Sequence, residues 1–200
     1  YSDGTYLYVA DTNNGRIKKI ELATGNLVGW IGATTTSPTG GSDPSCLTMN
    51  PMSMLTTWCL GSMPNPASLL GTSITSSSLQ GFLWSPAGIT GDGTYLYVTD
   101  SGLHRISKFV ASTGAYVGWV GMVSTTPTGG VTGCTSATAS TGTPGWCVGG
   151  TSGAGTGDGM LSSPSGITYV ASTGYIYVID ANNHRVVSYD ATTGAFKGWI

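Results

Sequence analysis

The chain has 200 residues, only 8% of them charged, and a formal net charge of −2. Seven Lys and Arg cannot build the basic face that nucleic-acid phosphates require, which excludes strong nucleic-acid binding. No apolar run reaches the roughly 18 residues of a helical membrane span, so no membrane insertion of that kind is expected.

The length suffices for one domain with a real core. Charge falls far below the roughly 25% usual for soluble domains. Ser and Thr make up about a quarter of the chain and Gly adds 32 residues, so hydroxyls and backbone must supply the polar surface. Aromatic residues at 10% and the small net charge argue against charge-driven disorder. The sequence opens at Tyr1 without a leader pattern and is expected to be a processed product or a fragment. It has no N-glycosylation sequon: Asn50 and Asn65 precede Pro, and Asn183 precedes His184-Arg185.

In chain order, block 1–32 opens with SDGTYLYVAD (2–11), a short aromatic and β-branched strand. Its lack of clean alternation predicts burial on both faces. A turn at Thr12–Gly15 leads to RIKKIEL, whose alternation predicts a more exposed strand. The Thr24-Gly25 turn then leads to a last strand through Gly29-Trp30. Segment 33–81 is rich in Ser, Thr, Gly and Pro and holds Cys46 and Cys59. Block 82–121 begins with SPAGIT, a Pro-gated entry to a strand, and repeats the pattern as GDGTYLYVTD, RISKFV and GAYVGWV. Segment 122–157 repeats the hydroxyl-rich composition and holds Cys134 and Cys147. Block 158–200 gives SPSGIT, STGYIYVID, RVVSYD and GAFKGWI.

Trp30, Trp119 and Trp199 stand 89 and then 80 residues apart, as do Asp11, Asp100 and Asp180, and Arg16, Arg105 and Arg185. Length is fixed inside the blocks and varies only between them. Four short antiparallel strands per repeated unit describe a propeller blade.

The run P-x-G-I, Y-V-x-D, N-x-H-R-[IV] and a Thr-Gly turn resembles the NHL repeat. Blocks two and three match best; block one lacks P-x-G-I and has Gly15 where the family often has His. The resemblance implies an all-β fold of NHL-like β-propeller blades, each of four antiparallel strands. The spacing is about twice a usual blade period of roughly 40–45 residues. Three blades also fall short of the roughly four to eight that close a ring. An open or partial repeat array is therefore expected.

Both inserts place two cysteines 13 apart with Trp58 or Trp146 before the second, which predicts the disulfides Cys46–Cys59 and Cys134–Cys147. A loop of that size is stabilised by roughly 3 kcal/mol, and its presence implies an extracellular or cell-surface setting. Metal ligation is the rival reading but lacks C-x2-C spacing and nearby His. Each insert reads as a stapled surface excursion or as a degenerate extra blade. Asp43 is the only charged residue in the two inserts. Thr34, Thr35, Thr36, Thr125, Thr126 and Thr128 are candidate O-glycosylation sites, with an unmodified polar loop as the alternative.

The Asp–Arg pairs recur in three equal contexts, which a scaffold requires and a single active site does not. They are expected to fix the hairpin turns. His104 and His184 occupy the repeat's own turn position; the resemblance admits a lyase reading, since some NHL-type propellers are lyases using His and a channel metal. Local packing is the competing role. The Gly-rich GTGDGM (155–160) leads into a strand, not a helix, so it is no phosphate loop. Trp30, Trp119 and Trp199 read as packing residues or as sugar-stacking platforms.

Three functions follow, in order: a non-enzymatic extracellular structural repeat building a glycosylated filament or surface layer, a binding module for protein or glycan ligands, and a propeller lyase. The first implies self-association. No cofactor beyond covalent glycans is expected, and the sequence is silent on calcium.

Overall fold

A computed structural model describes residues 1–41, 43–49, 53–61 and 80–200. The rest of the first insert, 42, 50–52 and 62–79, lies outside them.

The fold is all-β and antiparallel. The first blade contains β1 (Tyr6–Asp11), β2 (Arg16–Glu21) and β3 (Leu27–Thr34). Its insert contributes β4 (Gly40–Gly41), β5 (Ser53–Met54) and β6 (Cys59–Leu60). The second blade contains β7 (Pro86–Gly91), β8 (Tyr95–Asp100), β9 (Arg105–Val110) and β10 (Tyr116–Thr125). The second insert adds β11 (Gly129–Gly130), β12 (Cys147–Val148) and β13 (Thr151–Gly153). The third blade contains β14 (Pro164–Val170), β15 (Tyr175–Asp180), β16 (Arg185–Asp190) and β17 (Phe196–Trp199).

Each blade is an open sheet with strands in chain order: β1-β2-β3, β7-β8-β9-β10 and β14-β15-β16-β17. The insert strands add to the outer edge of their own blade: β6 and β5 pair with β3, and β12 and β13 pair with β10. Both disulfides form as the spacing predicts.

The β1–β2, β8–β9 and β15–β16 hairpins each turn through a residue in the left-handed region, Gly15 (φ 56°), His104 (φ 54°) and His184 (φ 53°). That conformation strains most side chains, and glycine adopts it freely. In the P-x-G-I entry the ladder skips between Pro86↔Asp100 and Ile89↔Val98, and likewise between Pro164↔Asp180 and Ile167↔Val178. A Cβ at Gly88, inside this bulge, would lie 2.5 Å from the Ser165 carbonyl oxygen of the next blade. The glycine therefore permits close stacking of blades.

The main cores lie between blades. Ile17, Ile31, Trp58, Leu96, Val98 and Phe109 fill the first junction. Tyr97, Ile106, Trp146, Ile176, Val187 and Tyr189 fill the second. This changes the expected exposure of the third strand. Strands β2 and β16 do alternate, but β9 is buried from Arg105 to Phe109 because its blade is covered on both sides.

Candidate functional site

Asp11↔Arg16, Asp100↔Arg105 and Asp180↔Arg185 are the last ladder pairs of their hairpins. Two of the three are ion pairs. Arg16 Nε donates to Asp11 Oδ2 at 2.7 Å, and Arg185 Nε donates to Asp180 Oδ2 at 2.8 Å. Asn14 and Asn183 donate to the same carboxylates. Burial raises the Asp11 pKa, but hydrogen bonds from Lys18, Asn14 and Arg16 outweigh it and hold the carboxyl at about 2.

The middle copy corrects the expectation of a uniform pair. Leu103 replaces the Asn, and Asp100 accepts instead from the backbone N–H groups of Trp84, Ser85, Gly102 and Leu103. Arg105 turns away and donates to the Phe82 carbonyl at 2.7 Å, while its buried Nε has no partner among the described residues. Removing Arg105 would therefore not strand a bare carboxylate.

Each Arg lies against the recurrent Trp of its own blade. The guanidinium carbons of Arg16, Arg105 and Arg185 stand 5.2, 5.9 and 5.6 Å from the ring centres of Trp30, Trp119 and Trp199. Trp30 and Trp119 are buried under their inserts, which gives them a packing role and removes them as sugar platforms. Trp199 is 56% exposed. The GTGDGM segment cradles Arg185, which donates to the carbonyls of Thr156, Gly157 and Met160.

The candidate histidines have different surroundings. His104 Nδ1 accepts from the Ser163 N–H at 3.0 Å, joining blades two and three. His184 is exposed. No group of three or more metal-ligating side chains occurs among the described residues. Of the candidate threonines, Thr34 is fully buried and its hydroxyl donates to the Thr36 carbonyl, which leaves no room for a sugar. Thr36, Thr125, Thr126 and Thr128 are exposed, and Thr35 is half-buried.

A further recurrent arrangement joins neighbouring blades. The Ala111 carbonyl receives Trp58 Nε1 at 3.1 Å and Lys19 Nζ at 3.2 Å from blade one. The Ala191 carbonyl receives Trp146 Nε1 at 3.1 Å and Lys108 Nζ at 2.9 Å from blade two. These donors use both lone pairs of the oxygen. Each ammonium also lies over a tyrosine ring, Tyr6 or Tyr95, at 4.1 Å. The hydroxyls of Tyr8 and Tyr97 approach the same carbonyls, but their single protons serve the nearer carboxylates of Asp3 and Asp92. Burial pushes the Lys108 pKa down to about 8, opposed by Asp92 and Asp190. Sequence reasoning missed this latch, although Lys19 and Lys108 recur at the repeat spacing.

The fold and these contacts define an open array of propeller-type β-blades stacked through a repeated latch. The NHL repeat family model matches residues 161–189, which lie in the third blade. No curated protein sequence matches the chain. Among solved structures, a candidate 6-phosphogluconolactonase from Bacteroides uniformis is similar at 14% identity and a TM-score of 0.44; the match covers 100% of this chain and 40% of that one. An auxiliary nutrient binding protein from Bacteroides thetaiotaomicron is similar at 10% identity and a TM-score of 0.35, over 92% and 44% of the two chains. The chain thus spans less than half the length of either.

Proposed function

We propose that the chain is a non-enzymatic, extracellular structural repeat segment that self-associates into a glycosylated filament or surface layer. One observation carries this reading: the same Lys–Trp latch onto an alanine carbonyl closes both internal junctions. A chemistry built twice in equal form serves stacking, and stacking is an additive property of repeat arrays. The two disulfides fit an oxidising compartment. The exposed Thr36, Thr125, Thr126 and Thr128 supply hydroxyls for O-linked glycans.

The test is electron microscopy of the native particle together with light scattering over rising concentration. Filaments or sheets and a growing mass are expected. A particle that stays monomeric across the range would overturn the array reading and leave a binding module in its place. An intact mass equal to the bare polypeptide would remove the glycans.

A further inference from the structure

The second junction contains a contact that the first lacks. At the β8–β9 turn, His104 Nδ1 accepts from the backbone N–H of Ser163, at the entry to blade three, at 3.0 Å. At the matching β1–β2 turn the residue is Gly15, which has no ring to offer. There Thr12 Oγ1 crosses to blade two instead and donates to the Pro86 carbonyl at 2.8 Å. A hydroxyl–carbonyl bond does not respond to pH between 5 and 8, whereas a bond to imidazole does.

Both residues of the contact sit in strained backbone. His104 and Ser163 have φ of 54° and 49°, in the left-handed region that a Cβ disfavours. Ser163 also precedes Pro164, and a residue before proline prefers extended backbone. Ser85, its counterpart on blade two, is not among the residues of positive φ. Such conformations persist where surrounding bonds hold them. The described residues give Ser163 two holding bonds: its N–H to His104, and its Oγ, which accepts from Asn182 Nδ2 at 3.1 Å.

Accepting a backbone N–H requires a lone pair on Nδ1, so the neutral ring carries its proton on Nε2. A second proton goes to Nδ1 and turns the acceptor into a donor. Two N–H groups then face each other and the bond is lost. The ring is only half-buried, so protons reach it from solvent. The charged residues flanking the contact are already engaged. On blade two, Asp100 accepts from four backbone N–H groups and Arg105 donates to the Phe82 carbonyl. On blade three, Asp180 accepts from the Ser162 N–H, Asn183 and Arg185. None of the four is hydrogen-bonded to His104 among the described residues.

We infer that His104 is a proton-operated catch between blades two and three, released in acid while the first junction stays closed. The inference goes beyond the array reading and does not depend on it, since the contact lies within one chain. The catch stabilises the junction while the ring is neutral. That contribution is lost as pH falls through the histidine range.

Hydrogen exchange of the full chain at pH 7.5 and pH 5.5 tests this, with each rate taken relative to an unstructured amide at the same pH. Protection of β14 and β15 amides is expected to fall about tenfold at pH 5.5, while β1 and β2 keep theirs. His104→Asn offers a carboxamide oxygen to the same N–H, tolerates left-handed backbone and does not titrate. Its β14 and β15 protection should be equal at the two pH values. His184→Asn, at an exposed ring, should behave like wild type. No fall in wild type, or a fall that persists in His104→Asn, would overturn the catch. Nitrogen NMR of the wild-type imidazole at pH 7.5 needs no variant: the proton should be on Nε2, and a proton on Nδ1 would overturn the inference.

Discussion

Asp100 and Arg105 keep the ladder position of the other two pairs but not the bond, and the difference traces to Leu103. Asn14 and Asn183 hold their carboxylates toward the Arg side chain; Leu103 instead enters an apolar cluster with Ala33 and Phe82. A double-mutant cycle measures the consequence. Asp180 and Arg185 should couple by about 1–3 kcal/mol, and Asp100 with Arg105 by less than about 0.5 kcal/mol, in urea-unfolding free energies. The fixed spacing of Asp, Arg and Trp made them legible as scaffold. Their unequal bonding rested on one interior residue whose burial only the fold reveals. The latch lysines recur at the same spacing in the first two blocks, but their partners are carbonyls on the next blade, which a linear repeat pattern does not show. Lys108 also makes stability depend on pH. Its folded pKa of about 8 lies below the usual 10.5. Between these values the unfolded chain keeps a proton that the folded chain has released, so stability rises with pH. Urea midpoints should increase from pH 7.5 to pH 9.5, and the increase should shrink in Lys108→Met.

The inserts act as elements of the blade they follow. Each disulfide fixes a short loop so that the Trp before its second Cys lies over Gly29 or Gly118 and reaches the next blade's carbonyl. Cysteine spacing made the pairing legible. The two-residue strands β4 and β11 were not, because a Gly-Gly pair has no strand propensity of its own. Reduction should cost roughly 3 kcal/mol per loop in the chain-entropy model. It should also release the Trp58 and Trp146 rings, which are now 0% and 4% exposed. A red-shifted tryptophan emission appearing together with a lowered melting temperature in reductant is the expected result. A lowered melting temperature without the emission shift would show that the staples stabilise the loops but do not hold the latch.

At the scale of the molecule, neighbouring blades meet through their inner strands, β1 against β7 and β7 against β14, and coupling between blades runs through these junctions. Each blade buries its faces against its neighbours, so its stability is partly borrowed from the next. The second junction therefore decides whether blade three unfolds with the rest. Ala191 lies under Trp146 and Lys108 with 3% exposure. Ala191→Leu puts a larger side chain where the space is already filled. Overpacking of this kind costs about 1–3 kcal/mol, and it falls on the contact between blades rather than inside either sheet. Hydrogen exchange should then show amides of β15 and β16 losing protection while those of β1 and β2 keep theirs. A uniform loss over all three blades would mean that the array unfolds as one cooperative unit. Trp146→Phe offers the complementary reading: it removes the N–H donor while keeping a ring against Gly194, and its effect should be confined to blades two and three.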